Sequence, residues 1–151
     1  MNEPVSAFHV FVDNPASSID EVQRFLAEQA VAASVATDVE EVCQAFRDRE
    51  AMGTTGMMDG FAIPHAKSAN IREACVFVVK LRQGIAWQSM DDKPVTCIIS
   101  LLIPAAERGT THLELLSRIA VLLMDDAVRA KLKATNDPSE LAALLNASLA
   151  A

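Results

Sequence analysis

Ala74–Leu81, with the sequence ACVFVVKL, and Val95–Ile103, with the sequence VTCIISLLI, are two nearly continuous apolar runs. A strand with one face in water alternates between apolar and polar residues, whereas a strand buried on both faces shows no such alternation. The two runs therefore predict strands that are covered on both faces. Between them, Gly84 indicates a turn and residues 90–94 indicate a loop, and we expect Trp87 to pack at an edge.

Capping patterns and a helical spacing of apolar residues predict five helices around these strands. The predicted helices span residues 18–31, 38–51, 111–124, 125–133 and 138–147, and shorter strands are expected at 8–12 and 60–65. Apolar residues surround most of the helix at 111–124, which predicts that it is heavily buried. Helices interspersed with strands that are buried on both faces predict an α/β fold with helices on both sides of the sheet. The length predicts a single domain over residues 1–151.

The composition is that of a soluble globular protein, with 51% apolar and 22% charged residues. The net charge of -7 and the lack of a lysine or arginine cluster argue against sequence-independent nucleic-acid binding. Cys43, Cys75 and Cys97 form no C-x-x-C pair, so neither a zinc knuckle nor a redox pair is expected. The odd number of cysteines, the lack of a signal peptide and the lack of an apolar run of about 20 residues predict a cytoplasmic protein.

A glycine-rich segment, Gly53-Thr-Thr-Gly56-Met-Met-Asp-Gly60, leads through Phe61-Ala-Ile-Pro64 to His65. Its glycines can adopt positive φ and can turn backbone N–H groups toward a ligand. Pro64 fixes the backbone directly before the histidine. The pattern indicates a nucleophile beside an anion pocket, although an ordinary turn followed by a structural histidine would have the same sequence.

Arg49 and His112 are two further candidates for this pocket. Arg49 follows three apolar residues on one face of the predicted helix 38–51, so its guanidinium either reaches solvent or points into a pocket. A cation is also favourable at a helix C-terminus for purely structural reasons, and both interpretations stay open. His112 occupies the first helical position if Thr111 is the cap, where bound anions are favoured and imidazolium is not.

Together, His65, Arg49, His112 and the glycine loop indicate phosphoryl-transfer chemistry. A neutral imidazole is a competent nucleophile near pH 7. A guanidinium and backbone donors stabilise phosphoryl oxygens, and phosphoryl transfer depends mostly on positioning and electrostatics. A metal site of His65, His112 and Asp59 is the alternative, but no H-x-x-H or H-E-x-x-H spacing supports it.

The segment Arg49-Glu50-x-x-Gly53-x-Thr55-Gly56-x-x-x-Gly60-x-Ala62-Ile63-Pro64-His65-Ala66 resembles the EIIA components of the fructose/mannitol type, EIIA type 2, in the bacterial phosphoenolpyruvate-dependent sugar phosphotransferase system. Further matches extend the resemblance over about residues 8–147; they are Gly84, Lys93-Pro94-Val95, Leu101-Leu-Ile-Pro104 and His112-Leu113-x-Leu115-Leu116. Met58 and Phe61 depart from the family's pattern.

The resemblance implies a mixed five-stranded sheet flanked by helices and a cytoplasmic phosphoryl relay. In that relay the phosphocarrier HPr phosphorylates one histidine of EIIA, which passes the group to EIIB while the membrane component EIIC imports a sugar. The resemblance further implies that His65 is the acceptor, that Arg49 and His112 support it, and that Thr55 and Gly56 line the phosphate site. It implies no metal or organic cofactor, no nucleic-acid partner, and contact with the membrane only through EIIC.

Two other functions remain open on the sequence. A related group, the nitrogen-type EIIA-like proteins, uses the same site chemistry to regulate other proteins through phosphorylation-dependent binding. The stretch Gly109-Thr-Thr-His-Leu113 favours the sugar-transport branch. The second is a metal-dependent hydrolase that uses His65 and His112. The sugar is not identified, because sugar recognition belongs to the membrane component.

Overall fold

The fold consists of five strands and five helices within residues 4–106 and 111–150, the part of the chain that the computed structural model describes, without the Thr111 side chain. A short 3-10 turn, Ala7–His9, precedes the first strand. The elements are β1 (Val10–Asn14), α1 (Ile19–Ala32), α2 (Val39–Ala51), β2 (Phe61–Ala62), β3 (His65–Ser68), β4 (Cys75–Ile85), β5 (Val95–Pro104), α3 (Thr111–Leu122), α4 (Asp126–Ala134) and α5 (Pro138–Ala150).

Side-chain caps start the two helices that precede the glycine-rich segment. The Ser18 hydroxyl accepts a hydrogen bond from the Glu21 amide at 3.2 Å at the start of α1. The Asp38 carboxylate accepts from the amides of Glu40 and Glu41 at 2.9 and 3.3 Å at the start of α2. These bonds satisfy amides that have no partner within the helix. The sequence-predicted positions of both helices are thereby confirmed.

The five strands form one mixed sheet in the order β1-β4-β5-β2, and β3 also pairs with β5. Strands β4 and β5 are antiparallel, whereas β1 runs parallel to β4, and both β2 and β3 run parallel to β5. Both central strands are buried along most of their length, as the unbroken apolar runs predict. The predicted mixed five-stranded sheet is confirmed.

Strands β2 and β3 are two parts of one edge strand. Phe61 pairs with Cys97 and His65 with Leu101, so both parts keep the same register against β5. The pairing is interrupted at Ile63 and Pro64, because proline has no N–H to donate to the ladder. The expected strand at 60–65 is therefore divided, and His65 begins its second part.

Two apolar clusters cover the two faces of the sheet. On β5, Ile98 and Leu102 pack with α1 and α2, whereas Ile99 and Leu101 pack with α3, α4 and α5. The predicted helices on both sides of the sheet are thus confirmed. Within residues 4–106 and 111–150, no helix combines the length and the apolar character that crossing a bilayer requires.

Helix α3 differs from its prediction, because it is not buried all round. Ile119 is buried, and so is Leu123 just after the helix. Leu113 and Val121, however, are 60% and 69% exposed. The helix presents one face to the sheet and to α5, while its apolar residues on the opposite face stay in solvent. The apolar pattern predicts the helix correctly but overestimates its burial.

Gly84 also differs from its prediction. Gly84 lies inside β4 and not in a turn, and a Cβ atom added there would lie 2.7 Å from the Cβ atom of Pro94. The glycine therefore marks a close approach between two segments. Trp87 is 5% exposed and belongs to the cluster against α1 and α2. The first strand begins at Val10, two residues later than expected, because a 3-10 turn precedes it.

A buried lysine fixes the end of α4 to the sheet. Lys80 in β4 is 8% exposed, and burial lowers the pKa of its ammonium group. Its Nζ atom lies 2.7 to 2.9 Å from four acceptors, which share its three N–H groups: the carbonyls of Leu132, Lys133 and Thr135 and the Oδ1 atom of Asn136. The lysine thus satisfies carbonyl groups at the C-terminus of a helix, where a cation is also favourable.

Replacing Lys80 with methionine is expected to lower the free energy of unfolding by about 2 kcal/mol, because partly buried carbonyls lose their donor. Chemical denaturation would measure the change. Arg82→Met is the matched control in the same strand, because the Arg82 ion pair with Asp13 is exposed to solvent and should contribute little to stability. Equal effects of the two substitutions would contradict this role of Lys80.

Candidate functional site

His65 has a single possible tautomer in this structure. Its Nδ1 atom lies 3.1 Å from the carbonyl oxygen of Ile63, which can only accept, so Nδ1 carries the hydrogen. Its Nε2 atom receives a hydrogen bond from Nε of Arg49 at 3.0 Å, and a guanidinium can only donate. The lone pair of the imidazole is therefore on Nε2 and faces Arg49.

The surroundings of His65 keep its ring neutral. Burial lowers the pKa of His65 below the usual 6.5, and the Arg49 cation lowers the pKa further. The hydrogen bond to Ile63 and the Glu50 carboxylate act in the opposite direction, but the net pKa is lowered. At neutral pH the side chain is therefore a neutral imidazole with its single hydrogen on Nδ1, which is the nucleophilic form.

We expect His65 to titrate below pH 6.5 in an NMR titration of the ring nitrogens, with its signal in denaturant as the reference. Because the unfolded chain binds this proton more readily, the contribution of His65 to stability is complete above pH 6.5 and is lost as the pH falls through the folded pKa. Arg49→Gln should raise this pKa, since it removes a nearby cation. A folded-state pKa at or above 6.5 would contradict this description.

Arg49 connects His65 to the glycine loop, residues 53–60. It lies in the last turn of α2, and its Nη1 atom donates to the carbonyl oxygen of Gly53 at 2.7 Å. An open cleft of about 480 Å³ begins beside the two side chains and is lined also by Asp48, Met52 and Lys67. The guanidinium thus lies beside the cleft and bonds both to His65 and to the loop, and its predicted role in the site stays a prediction.

Glu50, the neighbour of Arg49, holds the other side of the glycine loop. Its Oε2 atom accepts from the Thr55 amide at 2.8 Å and from Nε1 of Trp87 at 3.2 Å, and its Oε1 atom accepts from the Thr55 hydroxyl at 2.6 Å. Sequence reasoning assigned no role to this residue. The available signal was its position, because a carboxylate in the last turn of a helix is unfavourable with respect to the helix dipole.

Several groups of the loop that could bind an anion already have partners in the protein. Thr55 is 4% exposed, and its amide and hydroxyl both donate to Glu50. The Gly56 amide donates to the Thr54 hydroxyl, and the Met57 amide donates to the Phe61 carbonyl. The predicted roles of Thr55 and Gly56 toward phosphate therefore require rearrangement of these bonds and stay predictions.

The glycines of the loop serve two different purposes. Gly53 and Gly60 adopt φ values of 151° and 86°, a region that other residues rarely adopt. Gly56 has no positive φ, but a Cβ atom added there would lie 2.2 Å from the carbonyl oxygen of Gln88. The segment 87–90 therefore packs directly on the loop at a position that only glycine permits.

Replacing Gly56 with alanine is expected to lower the free energy of unfolding by about 2 kcal/mol, because the added methyl group meets backbone that must shift. Chemical denaturation would measure this effect. At Gly53, where an added Cβ atom has nothing within 4 Å, alanine should have no steric cost, and only the unusual φ should lower the stability, by about 1 to 3 kcal/mol. A Gly56 variant as stable as wild type would show that segment 87–90 does not constrain the loop.

His112 is the second residue of α3 and is partly buried. Its predicted role in the site stays a prediction, as does that of Thr111 as the cap. Gly109 and Thr110, which favour the sugar-transport branch in the sequence, lie outside the described residues, as does the Thr111 side chain.

The metal-site alternative finds no support in the structure. Asp59 forms ion pairs with Arg129 and with Lys133 of α4. Wherever the structure describes the chain, no three histidine, cysteine, aspartate or glutamate side chains are grouped closely enough to hold a metal ion.

Comparison with a family model gives a match over residues 3–148, to the family described as "Phosphoenolpyruvate-dependent sugar phosphotransferase system, EIIA 2". The fructose-specific EIIA component of Haloferax volcanii is 34% identical over 123 residues, which are 82% of this chain and 79% of that protein. A nitrogen regulatory protein of Bradyrhizobium diazoefficiens is also 34% identical, over 133 residues that are 87% of this chain and 86% of that protein.

A longer relative is the 2-O-alpha-mannosyl-D-glycerate-specific EIIABC component of Escherichia coli, which is 31% identical over 131 residues. These are 86% of this chain, which corresponds to only 20% of that protein. Among solved structures, the nitrogen regulatory protein IIA-Ntr of Neisseria meningitidis has a TM-score of 0.86 at 25% identity, covering 94% of this chain and 96% of that one.

The same fold occurs in the mannitol enzyme IIA of Escherichia coli, solved in complex with phosphorylated enzyme IIB. The TM-score is 0.73 at 23% identity, and the match covers 92% of this chain and 96% of that one.

Proposed function

The chain belongs to the EIIA type-2 family of the phosphoenolpyruvate-dependent sugar phosphotransferase system, and from this premise we propose that it is a phosphohistidine relay protein whose acceptor is His65. The observation that carries the proposal is the geometry of that side chain. Its Nε2 lone pair is 3.0 Å from the Arg49 guanidinium, its ring is neutral, and an open cleft lies beside it. The proposal treats residues 1–151 as one EIIA domain.

In the proposed reaction, the Nε2 atom of His65 attacks the phosphorus of a phosphorylated donor. A nitrogen–phosphorus bond forms at Nε2 as the bond between phosphorus and the donor breaks. Nδ1 keeps its hydrogen and its bond to the Ile63 carbonyl, so the ring is held as positive charge develops on it. The Nε hydrogen of Arg49 must leave Nε2 and turn to a phosphoryl oxygen, where its charge stabilises the transferred group.

His112, Thr55 and Gly56 complete the proposed site. His112 is proposed to donate a hydrogen bond to the phosphoryl group. Thr55 and Gly56 are proposed to line the phosphate position once the bonds of their amides within the protein rearrange. No metal or organic cofactor takes part in this proposal.

The proposed donor is HPr and the proposed acceptor is EIIB. Support for EIIB comes from the mannitol enzyme IIA, which was solved in complex with phosphorylated enzyme IIB, and from the relative that is named an EIIABC component. We place the reaction in the cytoplasm, with contact to the membrane only through EIIC and with no nucleic-acid partner. In this proposal the membrane component, and not this chain, determines which sugar is transported.

A regulatory function is the second candidate, and specific observations favour it. The nitrogen regulatory protein of Bradyrhizobium diazoefficiens has the same 34% identity as the fructose-specific EIIA component, and IIA-Ntr has the same fold with a TM-score of 0.86. In this case the phosphorylation state of His65 would control binding to another protein. Sugar uptake in a strain that lacks its EIIA, compared with capture of proteins by the phosphorylated and unphosphorylated forms, distinguishes the two functions.

The proposal is tested by the intact mass of the protein after incubation with phosphoenolpyruvate, enzyme I and HPr at alkaline pH. We expect the mass of one added phosphoryl group, and we expect acid to remove it, because phosphohistidine is acid-labile. No added mass, with HPr itself phosphorylated in the same reaction, would contradict the proposal.

A further inference from the structure

Arg49 and Glu50 are consecutive residues that hold the glycine loop at two separate points. Arg49 donates to the Gly53 carbonyl at 2.7 Å, whereas Glu50 accepts from the amide and the hydroxyl of Thr55 at 2.8 and 2.6 Å. The two bonds of Thr55 go to different oxygen atoms of one carboxylate. Such a pair fixes the orientation of Thr55 and not only its distance from Glu50.

A continuous series of hydrogen bonds leads from Thr55 to the ring of His65. The Thr55 carbonyl accepts from the Ile63 amide at 3.0 Å, and the Ile63 carbonyl accepts from Nδ1 of His65 at 3.1 Å. The Ile63 amide bonds to Thr55 and not to β5, whereas the Leu101 amide of β5 donates to the Pro64 carbonyl at 3.2 Å. Thr55 therefore contributes to the position of the Ile63 peptide from outside the sheet, and Glu50 contributes to the position of Thr55.

Glu50 also contacts the segment 87–90, which packs on the glycine loop. Its Oε2 atom accepts from Nε1 of Trp87 at 3.2 Å, and the next residue, Gln88, accepts from the Thr54 hydroxyl. Trp87 is the single tryptophan of the chain, so its fluorescence reports on this contact.

We infer that Glu50 is a positioning residue: through Thr55 and Ile63 it holds His65 with Nδ1 protonated and Nε2 available for phosphoryl transfer. The part of this inference that concerns transfer rests on the proposed function, whereas the part that concerns the ring does not. Glu50 is too fully engaged with Thr55 and Trp87 to act as a base on the imidazole.

Two substitutions separate the bonding of Glu50 from its charge. In Glu50→Gln, the amide oxygen can still accept from the Thr55 amide and from Trp87, and the amide nitrogen can donate to a reversed Thr55 hydroxyl. In Glu50→Ala, all three bonds are lost. Glu28→Gln, at an exposed carboxylate of α1, is the matched control for the removal of a charge.

The first readout is independent of phosphorylation. The NMR signals of the His65 ring nitrogens, assigned by comparison with His65→Ala, should show the Nδ1-protonated tautomer in wild type and in Glu50→Gln. In Glu50→Ala the Nδ1 signal should shift, because the Ile63 carbonyl is held less firmly while Arg49 still donates to Nε2, and Trp87 fluorescence should change in the same variant. An unchanged Nδ1 signal in Glu50→Ala would overturn the inference, whether or not the protein is a phosphoryl carrier.

The second readout is the rate at which phospho-HPr phosphorylates each variant at saturating donor. We expect Glu50→Ala to be slower by about 10- to 100-fold, because a small misplacement of the attacking atom is costly. Glu50→Gln should stay within about threefold of wild type, and Glu28→Gln should match it. If Glu50→Gln were as slow as Glu50→Ala, with an unchanged Nδ1 signal, the charge would matter and not the positioning. If wild type itself accepted no phosphoryl group, the proposed function would fail while the Nδ1 signal still decided the role of Glu50.

Discussion

Replacing His65 with alanine is expected to abolish phosphorylation of the protein by phospho-HPr. No other ring in the described structure combines an Nδ1–H held by a carbonyl, an Nε2 atom facing a guanidinium and an adjoining cleft. The chain has three histidines, so single substitutions cover every histidine acceptor. Intact mass at alkaline pH after a fixed reaction time measures the extent of phosphorylation.

The other two histidines provide the controls for this prediction. His9→Ala should be phosphorylated as wild type, because the His9 Nδ1 atom lies 3.1 Å from Cys75 Sγ, in a contact apart from the cleft. His112→Ala should still accept one phosphoryl group, but more slowly, because the proposed site loses a donor to the phosphoryl oxygens. Full phosphorylation of the His65→Ala protein would assign the acceptor to another residue.

Replacing Arg49 with glutamine is expected to slow phosphorylation of His65 by about 100-fold, which corresponds to about 2.7 kcal/mol in the barrier. Two losses contribute to this effect. The variant has no cation to stabilise the transferred group, and it loses the guanidinium bond to the Gly53 carbonyl that holds the loop. Rapid-quench measurement at pH 8 would give the rate. At that pH the His65 ring is neutral in both proteins, so the pKa change in the variant does not contribute to the difference in rate.

Arg47→Gln is the matched control for Arg49→Gln. Arg47 lies in the same helix, is exposed, and donates to Gln44 rather than to His65 or the loop. Its substitution removes the same charge and should leave the rate within about twofold of wild type. Equal slowing by both substitutions would mean that the net charge of α2 controls transfer, and that the contact between Arg49 and His65 does not.

Much of the architecture could be predicted because local patterns determine it. The unbroken apolar runs at 74–81 and 95–103 correctly indicated strands buried on both faces. Capping patterns also indicated the starts of α1 and α2, although the residue that caps α2 is Asp38, one position after the Thr37 of that pattern. The sequence indicates both His65 and Arg49 as candidates for the site. The structure places Nε of Arg49 3.0 Å from Nε2 of His65.

The features that could not be predicted depend on contacts between distant segments. Glu50 reaches Trp87 across 37 positions of the chain, and a single sequence contains no pattern for such a bond. Gly56 and Gly84 were attributed to loop and turn chemistry, whereas the close approach of Gln88 and Pro94 explains them. The apolar pattern of α3 likewise could not indicate which of its faces the sheet would cover.

The most direct test of the central claim is a phosphorus–nitrogen NMR correlation on the phosphorylated protein with ¹⁵N-labelled histidine rings. The structure leads us to expect one phosphoryl group on Nε2 of His65, with Nδ1 still protonated and bonded to the Ile63 carbonyl. A phosphoryl group on Nδ1 of His65, on His9 or on His112, or no phosphohistidine at all, would contradict the account.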